Sequence, residues 1–466
     1  MALGSNLDPR EQDLWLTASD LPTSPGNPFY EALQRVLRES GFDAFCEDLC
    51  RPFYSDKGRP SIPPGTYFRM LMIGYLEGIE SERGIEWRCT DSLSLRSFLL
   101  LDLKDRVPDH SSLAKIRQRL DVETHDQVFL WILELLKKHD LLKGKNLGVD
   151  ASTMEANAAM RSIVRKDTGE SYHDFLVGLA KESGIETPTR ADLKKLDRKR
   201  KKKGSNDDWE NPSDPDSRIS KLKDGRTRLS YKPEHTVDLD TQAVIAAEIH
   251  HANHGDTTTG PETLATGCEN LIALGFDSEE QKTCVADMGY HKGEHLGDLH
   301  GTSIRTYIAE PKRKRRRKWR GRSKAETAAK KEDQTAVYAN RRRIKSGRGR
   351  KLSKLRTERV ERSFAHVLDS GGMRRTHLRG RENVQKRYLI QVATYNLGLL
   401  LRKLIGAGKP REWARKTAGS AHQGCVAMWA LVRRRAAGNR DTKLQLSERL
   451  GVSRSAGVAE IISVAA

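Results

Sequence analysis

Three acidic residues have the types and positions that phosphodiester chemistry needs. Asp150 and Asp287 each directly follow a short apolar run that is typical of a buried strand. Glu361 lies in residues 356–364, where the apolar positions have helical spacing. Carboxylates are preferred ligands of hard divalent cations, and two such ions can activate an attacking oxygen and stabilise a leaving one. Because long stretches of chain separate the three residues, only the tertiary fold can bring them together.

Each of these residues also has an ordinary structural interpretation. The chain contains 63 acidic residues, so three can always be chosen, and an aspartate after a strand is commonly a turn former or a helix cap. The local context favours a site. Small residues follow Asp150 at 151–153, and Gly289 lets the chain turn just after Asp287. A carboxylate placed straight after a buried run is costly unless it is paired or bound to a metal.

The charge of the chain indicates an anionic partner. Lys and Arg number 83, and the formal net charge is +20, which favours a nucleic acid. The densest basic run precedes Trp319 and consists of Lys312, Arg313, Lys314, Arg315, Arg316, Arg317 and Lys318. These cations would neutralise DNA phosphates, and Trp319 would stack on a base. The alternative interpretation is a solvated basic run.

Other classes of protein are not favoured by the sequence. The 6 cysteines form no Cys-x-x-Cys pair, so we expect reduced thiols in a cytosolic protein rather than a disulfide scaffold. We expect no signal peptide, and the absence of a run of about 18 apolar residues excludes a membrane span. His250, His251 and His254 lack Cys or acidic partners at supporting spacing, which argues against a zinc site.

Apolar periodicity predicts helices in the first third of the chain. Residues 29–37, 67–76 and 129–142 have helical spacing, and Asp109 is a helix cap before a further apolar stripe. We therefore predict an N-terminal all-helical domain at 28–142, preceded by an arm at 1–27.

From residue 143 onward the pattern alternates between strands and helices. Predicted strands are residues 147–149, 236–239, 243–249, 283–286 and 303–309, and predicted helices are residues 259–274 and 352–368. Residues 240–242 form a predicted hairpin turn. This order predicts an α/β domain with a mixed sheet at 143–405, and an α+β protein as a whole. Polar inserts interrupt the domain at 161–229 and 311–351; the composition of the first predicts a weakly ordered segment. A tail follows at 406–466.

The chain resembles the DDE transposases of bacterial insertion sequences, which have an RNase H-like catalytic core. Residues 108–113, with Arg117 and Leu120, resemble their N-terminal helical domain. Residues 148–153 and 285–290 resemble the two aspartate motifs. Residues 360–364, followed by 373–375 and 378–380, resemble the glutamate helix, and 395–397 match the helix after it. The similarity extends from about residue 29 to 404.

The resemblance implies a role for each matched residue. Asp150, Asp287 and Glu361 would hold two Mg²⁺ ions, for which Mn²⁺ can substitute. The ions would activate water and then a DNA 3′-hydroxyl, for cleavage and strand transfer at the ends of a mobile element. Arg362, Arg374 and Arg375 would contact DNA beside the basic run. The implied partners are double-stranded DNA and a second copy of the chain, in the bacterial cytoplasm at the nucleoid.

The sequence departs from the family in ways that keep alternatives open. Glu358, one helical turn from Glu361, is a rival for the third carboxylate. Relatives often carry an Arg four residues before the glutamate and a Lys seven after it, where this chain has Thr357 and Leu368. Arg356, Arg362 and His366 are nearby cations that could replace them at DNA phosphates. The rival functions are a metal-dependent nuclease without strand transfer and a non-catalytic DNA-binding protein derived from a transposase.

The basic run generates a first prediction. Replacing the seven cations at 312–318 by Gln should weaken DNA binding and make the dependence of log affinity on log salt less steep, because fewer counterions are released. Fluorescence anisotropy of a labelled duplex over a range of NaCl concentrations measures both effects. Equal affinities and slopes for variant and wild type would remove the run from the DNA-binding surface.

Overall fold

Helices make up the described part of the N-terminal region, as predicted. Their bounds are α1 Pro28–Glu39, α2 Phe42–Cys50, α3 Pro64–Glu77, α4 Glu82–Thr90, α5 Leu93–Phe98, α6 His110–Arg119 and α7 Val122–Lys138. The cap at Asp109 is confirmed, since its carboxylate accepts a hydrogen bond from the Ser112 amide at 2.6 Å. Asp121 caps α7 in the same way through the Thr124 amide at 2.7 Å.

The structure is a computed structural model that describes residues 27–416, except 56, 59–60, 201–203, 223–224, 312–318 and 320–322. The predicted arm up to residue 26, the basic run at 312–318 and the tail beyond residue 416 lie outside the described residues. Chain contacts divide the protein after Pro410. The described residues up to Pro410 form one compact unit, and residues 411–416 are the described part of a second.

Strands and helices alternate after residue 143. The strands are β1 Asn146–Ala151, β2 Met154–Glu155, β3 Val164–Arg165, β4 Trp209–Glu210, β5 Arg218–Lys221, β6 Thr227–Asp238, β7 Val244–His251, β8 Lys282–Ala286 and β9 Ile304–Ile308. The helices are α8 Tyr172–Glu182, α9 Arg190–Lys199, α10 Asp256–Ala273, α11 Gly293–His300, α12 Lys324–Lys345, α13 Gly347–Phe364 and α14 Arg381–Ile405. A helical N-terminal region followed by a mixed sheet confirms the α+β class.

The long strand β6 organises the sheet. On one edge it pairs antiparallel with β1, and β2 continues this pairing in the same register after a break at residues 152–153. On its other edge it pairs antiparallel with β7, so the predicted turn at 240–242 is confirmed. Next to β1, strands β8 and β9 follow in parallel pairing. The order β7–β6–β1–β8–β9 therefore contains three parallel strands beside an antiparallel hairpin.

Helix α14 joins the helical region to the sheet. It packs against α3 and α7 on one side and against β7 on the other. Two of its amide side chains bond the backbone of β7. Asn396 accepts from the Val244 amide at 3.0 Å and donates to the Val244 carbonyl at 2.8 Å. Gln385 accepts from the Ile249 amide at 2.7 Å. These bonds satisfy the backbone of a strand that would otherwise present open polar groups.

The expectation of a weakly ordered segment at 161–229 is wrong for its described residues. Helices α8 and α9 pack together over a small core of Leu176, Ala180 and Leu193. Thr189 caps α9 through a reciprocal bond with Asp192. The composition of the segment hid its leucine spacing and its caps. The second insert is also partly helical, since α12 occupies residues 324–345.

The described cysteines are free thiols, as expected from their spacing. They are Cys46, Cys50, Cys89, Cys268 and Cys284, while Cys425 lies outside the described residues. Burial raises the pKa of the Cys50, Cys89 and Cys284 thiols to about 12. These groups are therefore protonated and unreactive at neutral pH. In the described part of the chain, no helix is both long and apolar enough to span a membrane.

Gly148 permits the close packing of α13 on β1, which generates a stability prediction. A Cβ at this position would lie 2.6 Å from Leu239 Cδ2 and 3.0 Å from Val360 Cγ2. Gly148→Ala should therefore lower the free energy of unfolding by about 1–3 kcal/mol, the usual cost of overpacking. Urea unfolding followed by circular dichroism measures the change.

The matched control is Gly178→Ala in α8, where a Cβ would meet nothing within 4 Å. It should leave stability unchanged or raise it by up to ~1 kcal/mol, because Ala favours the helix. Equal effects of the two substitutions would show that α13 does not pack tightly on β1.

Candidate active site

The two predicted catalytic aspartates lie at the carboxyl ends of neighbouring parallel strands. In the pairing of β1 with β8, Gly148 lies opposite Val285. Asp150 and Asp287 each lie two residues beyond that pair, so they occupy the same level at one edge of the sheet. Both side chains are partly exposed. The fold therefore brings these two predicted residues together, although 136 residues lie between them in the chain.

Asp150 forms an ion pair that the sequence did not predict. Arg356 Nη1 lies 2.6 Å from Asp150 Oδ2, and the two side chains are only 11% and 19% exposed. Alternation along β1 explains the contact, since Asp150 lies on the same face as Gly148, against which Val360 of α13 packs. Arg356 precedes Val360 by one helical turn. A half-buried guanidinium therefore covers one of the two predicted catalytic carboxylates.

Asp287 begins a tight turn beside other charged residues. Its carboxylate caps the 3₁₀ turn Met288–Tyr290 by accepting from the Gly289 amide at 2.8 Å. Carboxylate oxygens of Asp287 and Asp256 both lie close to the position that a Cβ on Gly289 would take, so the two carboxylates are neighbours. Lys232 of β6 pairs with Asp256 at 2.7 Å and partly balances the negative charge.

Glu361 is not brought to the two aspartates. It is exposed on α13, and five residues at about 100° each place it about 140° around the helix from Arg356. Glu358 is also exposed, and it pairs with Arg362 at 2.9 Å. The sheet-facing side of α13 is fixed by Ser363, which lies 2.9 Å from His235 of β6. Neither glutamate therefore points at the strand ends.

The predicted DNA-contacting residues that the structure describes do not all lie at this edge, because Arg362 contacts the β6–β7 turn at the opposite end of β1 from Asp150. Arg374 lies 3.4 Å from both Ser152 Oγ and the Thr153 carbonyl, just after Asp150, and is exposed. Arg375 is also exposed, and its backbone forms an isolated parallel β-bridge with Glu155. Arg362 donates to Gln242 at 3.1 Å, further along α13. Trp319 packs edge-on against Tyr338 of α12, with ring centroids 6.2 Å apart.

The clustered histidines of the sequence have other partners in the structure. Within the described residues, no group of three or more His, Cys, Asp or Glu side chains is arranged to hold a metal ion. His250 instead bonds Thr263 at 2.9 Å and lies 3.4 Å from Glu234. His251 bonds the Asp216 carbonyl at 2.9 Å.

Two transposase families match parts of this chain. A family described as "Transposase domain (DUF772)" matches residues 21–119, and one described as "Transposase DDE domain" matches residues 195–397. The chain belongs to the DDE transposases. No curated protein and no solved structure matches it. The transposase match thus rests on both the helical region and the sheet region.

The DDE match places some site residues inside the family region and leaves one outside it. Asp287 and Glu361 fall within residues 195–397, as do Lys232 and Asp256. Asp150 falls between the two matched ranges. Its assignment therefore depends on the position of β1 beside β8 and not on the family match.

The transposase family typically uses divalent metals, and the residues at this edge fit such an ion in part. Asp150 and Asp287 supply carboxylate oxygens at neighbouring strand ends, which suits a hard cation. Arg356 holds one Asp150 oxygen in the described arrangement, and Glu361 supplies no third ligand there. The two aspartates therefore fit a shared cation when the Arg356 guanidinium is no longer paired with Asp150.

Three charged residues that shape the site were not predicted from the sequence as parts of it. Arg356 was considered only as a DNA contact. Lys232 and Glu234 were not singled out, although they lie in the strand β6, where residues 229–238 are all buried. The available signal was a pair of charges within a long run of strand residues, because charges are rarely buried unless paired.

The ion pair on Asp150 generates a prediction about cation binding. Arg356→Gln should raise the affinity of the DNA-free protein for Mn²⁺ about fivefold, because Asp150 loses a competing cation worth on the order of 1 kcal/mol. Electron paramagnetic resonance of free Mn²⁺ measures the affinity.

Arg359→Gln is the matched control, since Arg359 lies on the same helix but donates to the Leu239 carbonyl rather than to an aspartate. Its Mn²⁺ affinity should equal that of the wild type. The same affinity in both variants would show that Arg356 does not compete with a cation for Asp150.

Proposed function

We propose that this transposase binds the ends of its mobile element and catalyses metal-dependent DNA cleavage and strand transfer. Asp150 and Asp287 are the carboxylates at the centre of the proposal. The observation that carries it is their common level at the carboxyl ends of the paired strands β1 and β8. Two carboxylates held side by side at an accessible edge repel each other and repel DNA, which is favourable only where a cation binds between them.

A divalent ion bound there would supply Lewis acidity, lowering the pKa of a bound water and stabilising the leaving oxygen. The residues of the chain do the rest. Asp150 and Asp287 would hold the ion in place, each on a backbone fixed by the sheet. Arg374, beside Ser152 and Thr153, presents an exposed guanidinium next to the carboxylates. We assign it the role of holding the phosphate next to the one that is cut.

Arg356 is proposed to have two positions. Without DNA it neutralises Asp150. A DNA phosphate arriving at the edge offers the guanidinium another anionic partner, with bidentate geometry. Transfer of Arg356 from Asp150 to the phosphate would release the carboxylate for the ion at the moment when substrate is present.

Glu361 remains the predicted third carboxylate. To reach the aspartates, α13 must turn by more than a quarter turn about its axis, which breaks the Arg356–Asp150 and Ser363–His235 contacts. The segment that follows α13, Ala365–Asp369, is π-helical, and such segments are frequent at functional sites. We propose that this irregularity lets the C-terminal end of α13 change its winding when DNA binds.

The other features implied by the family are part of the same proposal. They are an RNase H-like core, two Mg²⁺ ions replaceable by Mn²⁺, a homodimer on double-stranded DNA and action at the bacterial nucleoid. The mixed sheet with its strand-end aspartates supports the first. The exposed arginines beside those aspartates support DNA as the partner.

A second candidate is a DNA-binding protein derived from a transposase that no longer cuts. Two observations favour it: Arg356 covers Asp150, and Glu361 lies on the outer face of α13. A nuclease without strand transfer uses the same aspartates and differs only in its products. The assay below separates the three functions.

The test is cleavage, in the presence of excess Mg²⁺, of a plasmid that carries the DNA flanking the coding sequence on both sides. The wild type should cut at the flanks and join the ends to new DNA. Asp287→Asn should cut more than about a hundredfold more slowly, because even outer partners of a metal ligand cost ~10–100-fold. Asp298→Asn, an exposed aspartate on α11, is the matched control and should cut at the wild-type rate.

Cutting without joined products would select the nuclease, and tight binding without cutting would select the DNA-binding protein. Equal rates for Asp287→Asn and Asp298→Asn would contradict the proposed site.

The same assay compares the two glutamates of α13. Glu361→Gln should abolish cutting, while Glu358→Gln should retain it; the reverse result would assign the third carboxylate to Glu358.

A further inference from the structure

A buried carboxylate lies in the strand next to the one that carries Asp150. Glu234 is on β6, opposite Ala151 in the pairing of β6 with β1, while Asp150 is opposite the next residue, His235. The Glu234 side chain therefore lies on the other face of the sheet from that of Asp150. Glu234 is fully buried. Such a position is costly for a charge unless the group is paired and hydrogen-bonded.

Hydrogen bonds and charges satisfy Glu234 from several sides. Tyr290 Oη donates to Oε1 at 2.5 Å, and Thr263 Oγ1 donates to Oε2 at 2.6 Å. Lys232 lies 3.9 Å away, and His250 lies 3.4 Å away. Burial alone would raise the pKa of Glu234, but the hydrogen bonds from His250, Thr263 and Tyr290 and the charge of Lys232 lower it overall. The group is therefore an ionised acceptor at neutral pH.

One of these bonds reaches the turn that carries Asp287. Tyr290 ends the 3₁₀ turn Met288–Tyr290, which Asp287 caps. The Tyr290 ring is itself held against α10, because a Cβ on Gly260 would lie 2.5 Å from ring carbon Cε1. The hydroxyl and the ring together leave Tyr290 little freedom, and Asp287 is only three residues away.

A second connection runs through Lys232. Its ammonium bonds Thr259 Oγ1 at 2.7 Å and pairs with Asp256 at 2.7 Å. Asp256 is the carboxylate that neighbours Asp287 beside Gly289. Strand β6, helix α10 and the Asp287 turn are thus joined by one polar network with Glu234 at its centre.

We propose that Glu234 is a positioning residue, which fixes the Asp287 turn relative to Asp150 through its hydrogen bond with Tyr290. The inference rests on the proposed function, because it concerns the spacing of the two metal-binding carboxylates. Glu234 does not itself touch the ion or DNA, since its side chain has no exposed surface. β6 carries Glu234 and pairs with β1, so the strand that holds Asp150 in register also holds the turn that carries Asp287.

The experiment compares two Tyr→Phe substitutions that each delete one buried hydrogen bond. Tyr290→Phe removes the bond to Glu234. The matched control, Tyr231→Phe, removes a buried bond from the same strand, β6, in which Tyr231 Oη donates to Asp214 Oδ1 at 2.6 Å. Asp214 is fully buried and also accepts from the Gly380 amide, and alternation along β6 places Tyr231 on the opposite face of the strand from Glu234. Both variants keep their aromatic rings and lose the same chemical group.

The measurements are the single-turnover rate constant of strand cleavage, the DNA concentration for half-maximal rate and the Mn²⁺ affinity. Tyr290→Phe should lower the rate constant about tenfold and weaken Mn²⁺ about tenfold, as loss of a partner that orients a metal ligand does. Its half-maximal DNA concentration should stay within about twofold of wild type, because DNA contacts are unchanged. Tyr231→Phe should change none of the three. Equal values for the two variants would overturn the inference.

Glu234 variants provide rescue by a conservative change. Glu234→Gln keeps an acceptor for Tyr290 and should retain more than half of the cleavage rate, whereas Glu234→Ala should lose more than about tenfold. Equal losses in the two would show that the bond to Tyr290 does not position the turn.

Failure of the proposed function is distinguishable from failure of this inference. A wild type that binds Mn²⁺ but does not cut contradicts the proposed chemistry, and the Mn²⁺ affinities of the two Tyr→Phe variants still decide whether Tyr290 positions the ligand. A wild type that cuts as fast as Tyr290→Phe contradicts the inference alone. A wild type that neither cuts nor binds Mn²⁺ overturns both.

Discussion

The parallel pairing of β1 with β8 is the constraint on which the site depends. Register in a sheet is fixed by the backbone ladder and by the buried faces of both strands, since a slip of one residue would turn every side chain to the opposite face. With Gly148 opposite Val285, the next two residues of each strand bring Asp150 and Asp287 to one level. The long strand β6 pairs with β1 on the edge opposite to β8. Helix α13 packs on the face of β1 at Gly148, where the absence of a side chain leaves room. The position of the carboxylates is therefore a property of the sheet and does not rely on a flexible loop.

Charge balance is the second feature that the structure explains. Four carboxylates, Asp150, Glu234, Asp256 and Asp287, come close together at or just behind one edge, and their mutual repulsion opposes folding. Lys232 offsets Glu234 and Asp256, and Arg356 offsets Asp150. The Asp287 carboxylate is met by an amide and not by a cation within its own turn. This distribution leaves the accessible end of the cluster negative, in a chain whose net charge is strongly positive. The proposed cation between the protein and a DNA phosphate would resolve that contrast.

Local signals in the sequence predicted much of the fold. The helix cap at Asp109 and the hairpin turn at 240–242 could be predicted because each depends on a few adjacent residues. The positions of Asp150 and Asp287 at strand ends could be predicted from the apolar runs that precede them. Contacts between distant segments were not readable. The sequence placed Glu361 on a helix but could not give the rotation of that helix about its axis, which Val360 and Ser363 determine by packing on β1 and β6. The Arg356–Asp150 pair has the same origin. At 161–229 a polar composition concealed the spacing of Leu176, Ala180 and Leu193, which is enough to hold two short helices together.

The central claim is that Asp150 and Asp287 share a divalent cation once Arg356 leaves Asp150. A crystal structure of the full chain with bound DNA and Mn²⁺, in which the anomalous signal locates the ion, tests it most directly. The account predicts an ion within about 2.3 Å of oxygens from both aspartates, a typical range for hard cations, with the Arg356 guanidinium on a DNA phosphate. An ion bound elsewhere, with Arg356 still paired to Asp150 in the presence of DNA, would contradict it.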